Sequence, residues 1–213
     1  MLSACLVDVY ETLVQCDLTS RRARLARLAG VDAGTLNREF ERFQTEIDRG
    51  QISLAGLIAG IFTSAGQDAG PERIGPLVEA YRASHFHDAK LFEDALPFLA
   101  ELRSRGIPIA LVSNCGESTR PVLEALGLFD EVDVAVLSCE VGHAKPSAEI
   151  FHCALTRLGV SAQDAIMIDD QARCCAGAVA AGLTAMQIVR GEPGSGPAEP
   201  GVRVIRSLME ALA

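Results

Sequence analysis

From position 94 to the C-terminus, short apolar runs alternate with longer stretches of helical periodicity, and this alternation limits the fold more than any other feature. Short runs rich in β-branched residues are typical of strands buried on both faces. Strands that alternate with helices form a parallel sheet with helices on both faces. We therefore predict an α/β fold with strands at 107–112, 132–137, 165–168, 184–189 and 202–205, helices at 95–105, 117–126, 147–158 and 172–181 and at the C-terminus, and a Pro/Gly loop at 191–201.

The N-terminal part combines one strand with a helical segment. An apolar run from Ala4 leads to Asp8, and positions 18–88 then show helical periodicity without a convincing strand. Capping residues predict four helices in that segment, starting near Thr19, Asp32, Ser53 and Pro71. We expect two units: a catalytic core of residues 1–17 and 89–213, and a small all-helical cap domain of residues 18–88.

The charge balance and the cysteines limit the partners and the compartment. The 213 residues include 28 acidic and 19 basic ones, a formal net charge of −9. This balance argues against nucleic acid or an anionic membrane as the main partner, and no apolar run is long enough for a transmembrane helix. Seven cysteines without metal-ligand spacing indicate free thiols in a reducing compartment. Together with the absence of a basic leader, this predicts a cytoplasmic location.

Polar side chains follow four of the predicted strands. They are Asp8, Ser113-Asn114, Lys145-Pro146 and Asp169-Asp170. Each alone is typical of a turn, a helix cap or a solvated surface. The carboxyl ends of parallel strands meet at one edge of the sheet, which is where open α/β sheets bind ligands. The sequence therefore predicts a carboxylate nucleophile, a hydroxyl, a cation and a metal-binding carboxylate pair in one crevice.

In order and spacing, these segments resemble the motifs of the haloacid dehalogenase-like hydrolase superfamily. The resemblance covers nearly the whole chain and rests on Asp8-Val9-Tyr10-Glu11-Thr12-Leu13, Val112-Ser113-Asn114, Gly142-His143-Ala144-Lys145-Pro146 and Ile168-Asp169-Asp170. It implies a Rossmann-like parallel sheet with the helical segment folded over the site as a cap. It also implies that Asp8 attacks the substrate and forms a covalent aspartyl intermediate, which water then hydrolyses.

The same resemblance implies roles for the other motif residues. Thr12, Ser113 and the backbone of Asn114 would donate hydrogen bonds to phosphoryl oxygens or their equivalent. Lys145 would neutralise charge on the nucleophile and on the reacting group.

The implied cofactor is Mg²⁺, which prefers an octahedral shell of oxygen ligands. Asp8, the backbone carbonyl of Tyr10, and Asp169 or Asp170 would supply it. The sequence leaves open which aspartate of the pair is the direct ligand.

Tyr10 stands where the family's phosphatases usually carry a second aspartate as general acid and base. Such a group contributes about 10²–10⁴-fold in rate, and a phenol is a poor base at pH 7. Tyrosine here also resembles the 2-haloacid dehalogenase branch, which needs no metal, whereas the paired aspartates favour the phosphatases. The leading prediction is a Mg²⁺-dependent phosphatase of a small phosphorylated metabolite. A metal-free dehalogenase and a catalytically silent binding protein are the alternatives.

Two further clusters receive ordinary structural interpretations. We predict a solvated helix face for the arginines, rather than a binding site for a substrate carboxylate. We predict a hinge loop for the two histidines, rather than a metal site. The clusters are Arg21, Arg22, Arg24 and Arg27, and His85-Phe86-His87.

Overall fold

The computed structural model describes residues 3–190 and 201–212. Within these ranges the strands are β1 (Ala4–Val7), β2 (Val14–Gln15), β3 (Lys90–Leu91), β4 (Ile109–Ser113), β5 (Val134–Leu137), β6 (Ala165–Asp169), β7 (Thr184–Ile188) and β8 (Arg203–Ile205). The α-helices are α1 (Leu18–Ala29), α2 (Ala33–Arg42), α3 (Gln44–Asp48), α4 (Leu54–Ser64), α5 (Pro71–Asp88), α6 (Ala95–Ser104), α7 (Thr119–Ala125), α8 (Ser138–Val141), α9 (Ala148–Leu158) and α10 (Ala172–Ala180).

A six-stranded sheet forms the centre of the molecule. Its order is β5-β4-β1-β6-β7-β8, and every pair of neighbours is parallel. Strand β1 lies between β4 and β6, where Val7 pairs with Leu111 and with Ile168. All residues of these three strands are buried, because helices pack on both faces of the sheet. The α/β, Rossmann-like prediction is confirmed.

The strands of the large sheet begin and end within one or two residues of the predicted positions, whereas the short strands β2 and β3 were not predicted. Local chemistry explains one of the two-residue differences. Strand β4 begins at Ile109 rather than at 107. Pro108 has no N–H to donate to a neighbouring strand, although its carbonyl accepts a hydrogen bond from the Cys5 N–H at 2.9 Å. At the C-terminus the predicted helix is a short 3₁₀ helix, Leu208–Leu212. Of the predicted loop at 191–201, residues 191–200 lie outside the described ranges.

Residues 18–88 contain five helices, whereas the capping signals predict four. The predicted second helix is interrupted at Phe43, whose φ of −98° and ψ of 12° depart from α-helical values. The five helices enclose their own hydrophobic cluster, which includes Leu36, Ile58 and Phe62. The short antiparallel pair β2–β3 lies where the chain enters and leaves this helical segment. The division into a core and a separate cap domain at positions 18 and 88 stays a prediction.

Over the described ranges, no helix combines the length and the apolar character needed to cross a lipid bilayer.

Candidate active site

Three buried polar residues meet at the carboxyl edge of the sheet. Asp8 directly follows β1, Ser113 ends β4 and Asp169 ends β6. Because β1 lies between the other two strands, these residues occupy three adjacent strand ends. Asp8 is 5% exposed, and the other two are fully buried. The predicted crevice therefore has its polar residues on the innermost strands of the sheet.

Lys145 connects two of the carboxylates. Its Nζ lies 2.5 Å from Asp8 Oδ1 and 2.6 Å from Asp169 Oδ2, and the residue is 4% exposed. Burial alone would lower the pKa of Lys145, but the two carboxylates raise it above its ordinary value. A buried ammonium is costly unless it is paired in this way. The lysine is therefore charged and held between the two strand ends.

The backbone of Lys145 is fixed by Asn114 from the neighbouring loop. The Asn114 side-chain amide donates to the Lys145 carbonyl at 2.8 Å, and its carbonyl oxygen accepts from the Lys145 N–H at 2.7 Å. On the other side, the Lys145-Pro146 segment packs on Gly177 of α10, where an added Cβ would lie 2.4 Å from the Pro146 carbonyl oxygen. The side chain of Asn114 is thus committed to positioning Lys145, which leaves its backbone for any ligand.

Asp8, Asp169 and Asp170 form a cluster of carboxylates. One oxygen from each lies within 4.8 Å of the others. Burial raises the pKa of Asp8 to about 6, and Lys145 opposes this rise while the charge of Asp169 adds to it. Burial and the other two carboxylates raise the pKa of Asp170 to about 7. Three carboxylates around one lysine leave an excess of negative charge, which suits a divalent cation.

The two aspartates of the pair have different environments. Both oxygens of Asp169 are engaged, Oδ2 by Lys145 at 2.6 Å and Oδ1 by the Gln171 N–H at 2.8 Å. Asp170 Oδ1 is buried and has no hydrogen-bond partner among the described residues. A buried carboxylate oxygen without a partner costs free energy, which a metal ion would offset. The residues present therefore fit a metal ion, and Asp170 is the member of the pair with a free ligand atom.

Two hydroxyl groups complete the cluster. Thr12 Oγ1 donates to Asp8 Oδ2 at 3.4 Å, a long and weak hydrogen bond. Ser113 Oγ is buried and has no partner within the described part of the chain. Both hydroxyls can donate to an anionic group placed beside Asp8.

The Tyr10 side chain makes its hydrogen bonds away from this cluster. Its hydroxyl lies 2.7 Å from His85 Nε2 and donates to Thr119 Oγ1 at 3.1 Å, while His85 Nδ1 lies 3.2 Å from Ser118 Oγ. The two rings are stacked with centroids 5.6 Å apart. Burial raises the pKa of Tyr10 above its ordinary value, and burial lowers the pKa of His85 to about 3. Tyr10 and His85 are therefore an uncharged pair at neutral pH.

The hinge-loop prediction for residues 85–87 is wrong. Helix α5 continues to Asp88, and the Ala89 N–H still donates to the His85 carbonyl at 3.1 Å. His85 is buried and His87 is exposed, because residues two apart on a helix point in different directions. His85 was not predicted from the sequence as a residue of the site. His85 follows Tyr81 by four positions, which places both residues on one face of the helix. This spacing was the sequence feature that could have indicated that His85 is buried.

A pocket of about 140 Å³ lies between the helical segment and the loop after β4. The prediction of a solvated face is wrong for Arg21, which lines this pocket and is 4% exposed. Its Nη2 donates to Tyr81 Oη at 2.7 Å, and its guanidinium lies 4.4 Å from the centre of that ring. Over residues 3–190 and 201–212 no carboxylate pairs with Arg21, and its Nε has no partner. Arg27 is exposed, as predicted.

Comparison with known proteins gives relatives over most of the chain. A phosphoserine phosphatase of Thermus thermophilus is 35% identical over 152 residues, which are 68% of this chain and 59% of that protein. This chain therefore spans less than two thirds of the length of that relative.

The solved structures that share this fold include a phosphatase and a dehalogenase. A HAD phosphatase from Thermococcus onnurineus has a TM-score of 0.67 and 28% identity, covering 98% of this chain and 95% of that one. A structure described as a dehalogenase has a TM-score of 0.68 and 25% identity, covering 99% of this chain and 95% of that one. Because the family description "haloacid dehalogenase-like hydrolase" matches residues 2–182, the chain belongs to the haloacid dehalogenase-like hydrolase family.

Proposed function

We propose that this chain is a Mg²⁺-dependent phosphatase that hydrolyses a small phosphorylated metabolite through Asp8. The observation that carries the proposal is the cluster of three carboxylates around the single buried Lys145. The likeness to a phosphoserine phosphatase and to a HAD phosphatase supports the same reaction class.

Asp8 is the proposed nucleophile. With a pKa of about 6 it is mostly ionised at pH 7, so it needs no base to activate it. One of its oxygens attacks the phosphorus atom, the ester oxygen leaves, and water then hydrolyses the aspartyl phosphate. Lys145, 2.5 Å from Oδ1, offsets the negative charge that accumulates as the two anions approach.

The proposed metal ligands are Asp8, Asp170 and the backbone carbonyl of Tyr10. We assign Asp170 rather than Asp169 as the direct carboxylate ligand, because both oxygens of Asp169 already have partners. Asp169 then fixes Lys145 and the turn after β6. When bound, Mg²⁺ supplies positive charge for the phosphoryl oxygens.

The hydroxyls of Thr12 and Ser113 and the backbone of Asn114 are the proposed phosphoryl-binding groups. Ser113 Oγ supports this role, since it is buried and lacks a protein partner within the described ranges. These donors would be fixed before the substrate arrives, which is the usual requirement for stabilising a transition state.

Proton transfer to the leaving group is the weak step of the proposed reaction. Tyr10 is neutral and can donate a proton, but its hydroxyl is engaged by His85 and Thr119. We therefore expect the enzyme to favour esters whose leaving group departs readily as an anion. The leaving group would occupy the adjacent pocket, where Arg21 offers a cation without a carboxylate partner among the described residues.

A metal-free 2-haloacid dehalogenase is the second candidate. Three observations favour it: Tyr10, the likeness to a dehalogenase structure, and the Arg21 guanidinium, which has no carboxylate partner among the described residues. A haloacid carries a carboxylate, and its halide leaves without a proton. Asp170 Oδ1, which has no partner among the described residues, has no use in that reaction. A catalytically silent binding protein of the same fold is the third candidate.

One panel of assays separates the three candidates. Phosphate and halide release are measured from phosphorylated metabolites and 2-haloacids, with Mg²⁺ and with EDTA, for the parent and for Asp8→Asn. A phosphatase releases phosphate only with Mg²⁺ and loses this activity in Asp8→Asn. Halide release that persists in EDTA would replace the proposal with the dehalogenase. Release that is equal in parent and variant would leave only the silent protein.

A further inference from the structure

Two cysteines outside the carboxylate cluster lie in contact beside the pocket. The sulfur atoms of Cys115, in the loop after β4, and Cys139, in α8, are 3.9 Å apart. Across the described residues, which include all seven cysteines, this is the only pair of thiols at hydrogen-bonding distance. Cys115 is 5% exposed and lines the pocket, whereas Cys139 is partly exposed.

The two segments that carry these thiols are already joined. Ser138 Oγ accepts a hydrogen bond from the Cys115 N–H at 2.9 Å and donates to the Cys115 carbonyl at 3.3 Å. These two hydrogen bonds hold the backbone of Cys115 against Ser138, the residue that precedes Cys139. A disulfide has an S–S bond of about 2.05 Å, so the sulfur atoms must approach by roughly 2 Å. Disulfide formation therefore requires rotation of the cysteine side chains together with a small shift of α8.

We propose that Cys115 and Cys139 are an oxidative modification site that a peroxide converts reversibly into a disulfide. In the first step the Cys139 sulfur attacks peroxide, the O–O bond breaks, and sulfenic acid and water form. In the second step the Cys115 thiol attacks that sulfur, the S–O bond breaks, and its proton leaves with the hydroxide as a second water. Each sulfur loses one electron, and a dithiol reductant restores both thiols.

The order of the steps follows from the environments of the two thiols. Cys139 is the more accessible sulfur, and the hydrogen bond from Cys115 lowers its pKa. A more ionised and more accessible thiol reacts first with peroxide. Cys115 is buried behind it and is placed to resolve the sulfenic acid.

The position of the pair connects its oxidation to the carboxylate cluster and to the helical segment. Cys115 directly follows Asn114, whose side chain holds the backbone of Lys145 through two hydrogen bonds. The Cys139 carbonyl touches Gly50, where an added Cβ would lie 2.0 Å from the oxygen. Closing the disulfide therefore displaces either the loop that positions Lys145 or the contact between α8 and the helical segment.

The first test measures the disulfide itself and does not depend on the proposed function. The whole chain is treated with one equivalent of hydrogen peroxide, unfolded in denaturant so that the buried thiols can react, alkylated, and weighed intact. Oxidation is expected to leave five of the seven thiols open to alkylation. Cleavage after glutamate is expected to release peptide 102–117 linked to peptide 132–140, and a dithiol reductant should separate them. Peroxide products that consist only of sulfinic acid, or of a different cysteine pair, would overturn the proposal.

A matched pair of variants assigns the sulfur atoms. Cys139→Ser should prevent formation of the linked peptides. Cys153→Ser changes another partly exposed cysteine, and the linked peptides should still form in that variant. Linked peptides that form equally in both variants contradict the assignment.

The second test rests on the proposed function and uses p-nitrophenyl phosphate with Mg²⁺. Disulfide formation should lower turnover by about 10-fold to 10²-fold, because a displacement of about 1 Å in a catalytic group has an effect of that size. The dithiol reductant should restore turnover, and Cys139→Ser should resist the loss. A disulfide that forms without a change in turnover would refute the link to the active site. Failure of the proposed phosphatase is recognised separately, because the reduced protein would then release no phosphate.

Discussion

Replacing Tyr10 with aspartate tests whether the lack of a carboxyl general acid and base at position 10 limits the proposed phosphatase reaction. The substitution places a carboxylate where related phosphatases usually carry their general acid and base. A positioned group of this kind is worth about 10²–10⁴-fold in rate, or about 2.7–5.4 kcal/mol in the activation barrier. We expect kcat/KM for an alkyl phosphate such as glycerol phosphate to rise toward the lower end of this range, because the shorter side chain enters a site built around tyrosine.

The substitution also has a structural cost. Tyr10→Asp removes the hydrogen bonds to His85 and Thr119 and the stacked ring. Leaving Nε2 of the buried His85 without its partner costs about 1–3 kcal/mol, and losing the ring pair costs about 0.5–1.5 kcal/mol more. Small domains have about 5–15 kcal/mol of stability, so the variant should remain folded at 25 °C with a lowered Tm.

Two substrates with different leaving groups separate the chemical effect from the structural one. The nitrophenolate of p-nitrophenyl phosphate departs without a proton, so its turnover should change little, while that of the alkyl ester rises. Tyr10→Asn is the matched control, since it has the same size and cannot transfer a proton. Equal gains on both substrates, or equal alkyl phosphate turnover by the Asp and Asn variants, would refute the reasoning.

Three further predictions concern the metal, the lysine and the packing beneath it. Asp170→Asn should weaken Mg²⁺ binding by about 10-fold or more in calorimetric titration, because it removes the charge beside the free ligand atom; an unchanged Kd would exclude this residue as a ligand. Lys145→Met should abolish turnover and lower the free energy of unfolding in urea by about 3–5 kcal/mol, since two buried carboxylates lose their cation. Gly177→Ala should lower stability by about 1–3 kcal/mol, because its Cβ would lie 2.4 Å from the Pro146 carbonyl oxygen. Gly75→Ala on α5 is the matched control, because an added Cβ there has no atom within 4 Å, and it should be neutral or stabilising. The same Tm for both glycine variants would contradict the packing argument.

Much of the fold was predictable because it depends on local periodicity. The apolar runs of the core locate every strand of the large sheet to within one or two residues, since burial on both faces requires continuous apolar residues. Parallel strands joined by helices then bring their carboxyl ends to one edge. Asp8 and Asp169 could therefore be placed together from the sequence alone.

The interruption at Phe43 was less predictable, because both sides of it carry helical periodicity. Its backbone angles depend on how α2 and α3 fit around their neighbours, which is a tertiary constraint. The sequence likewise offered no reason to separate Asp169 from Asp170. The difference lies in the partners of each oxygen, and those partners come from Lys145 and from the turn after β6.

The sequence by itself determined which residue types lie at the strand ends, because chain order and hydrophobic periodicity are local properties. Only the tertiary structure decided which of them meet residues from the helical segment. Arg21 and His85 are ordinary polar residues in a helical pattern, and they enter the site because α1 and α5 pack over the loop after β4. The Cys115–Cys139 contact has the same origin, since 24 positions of chain separate the two sulfur atoms. Such contacts depend on packing between elements, which no local pattern in the sequence records.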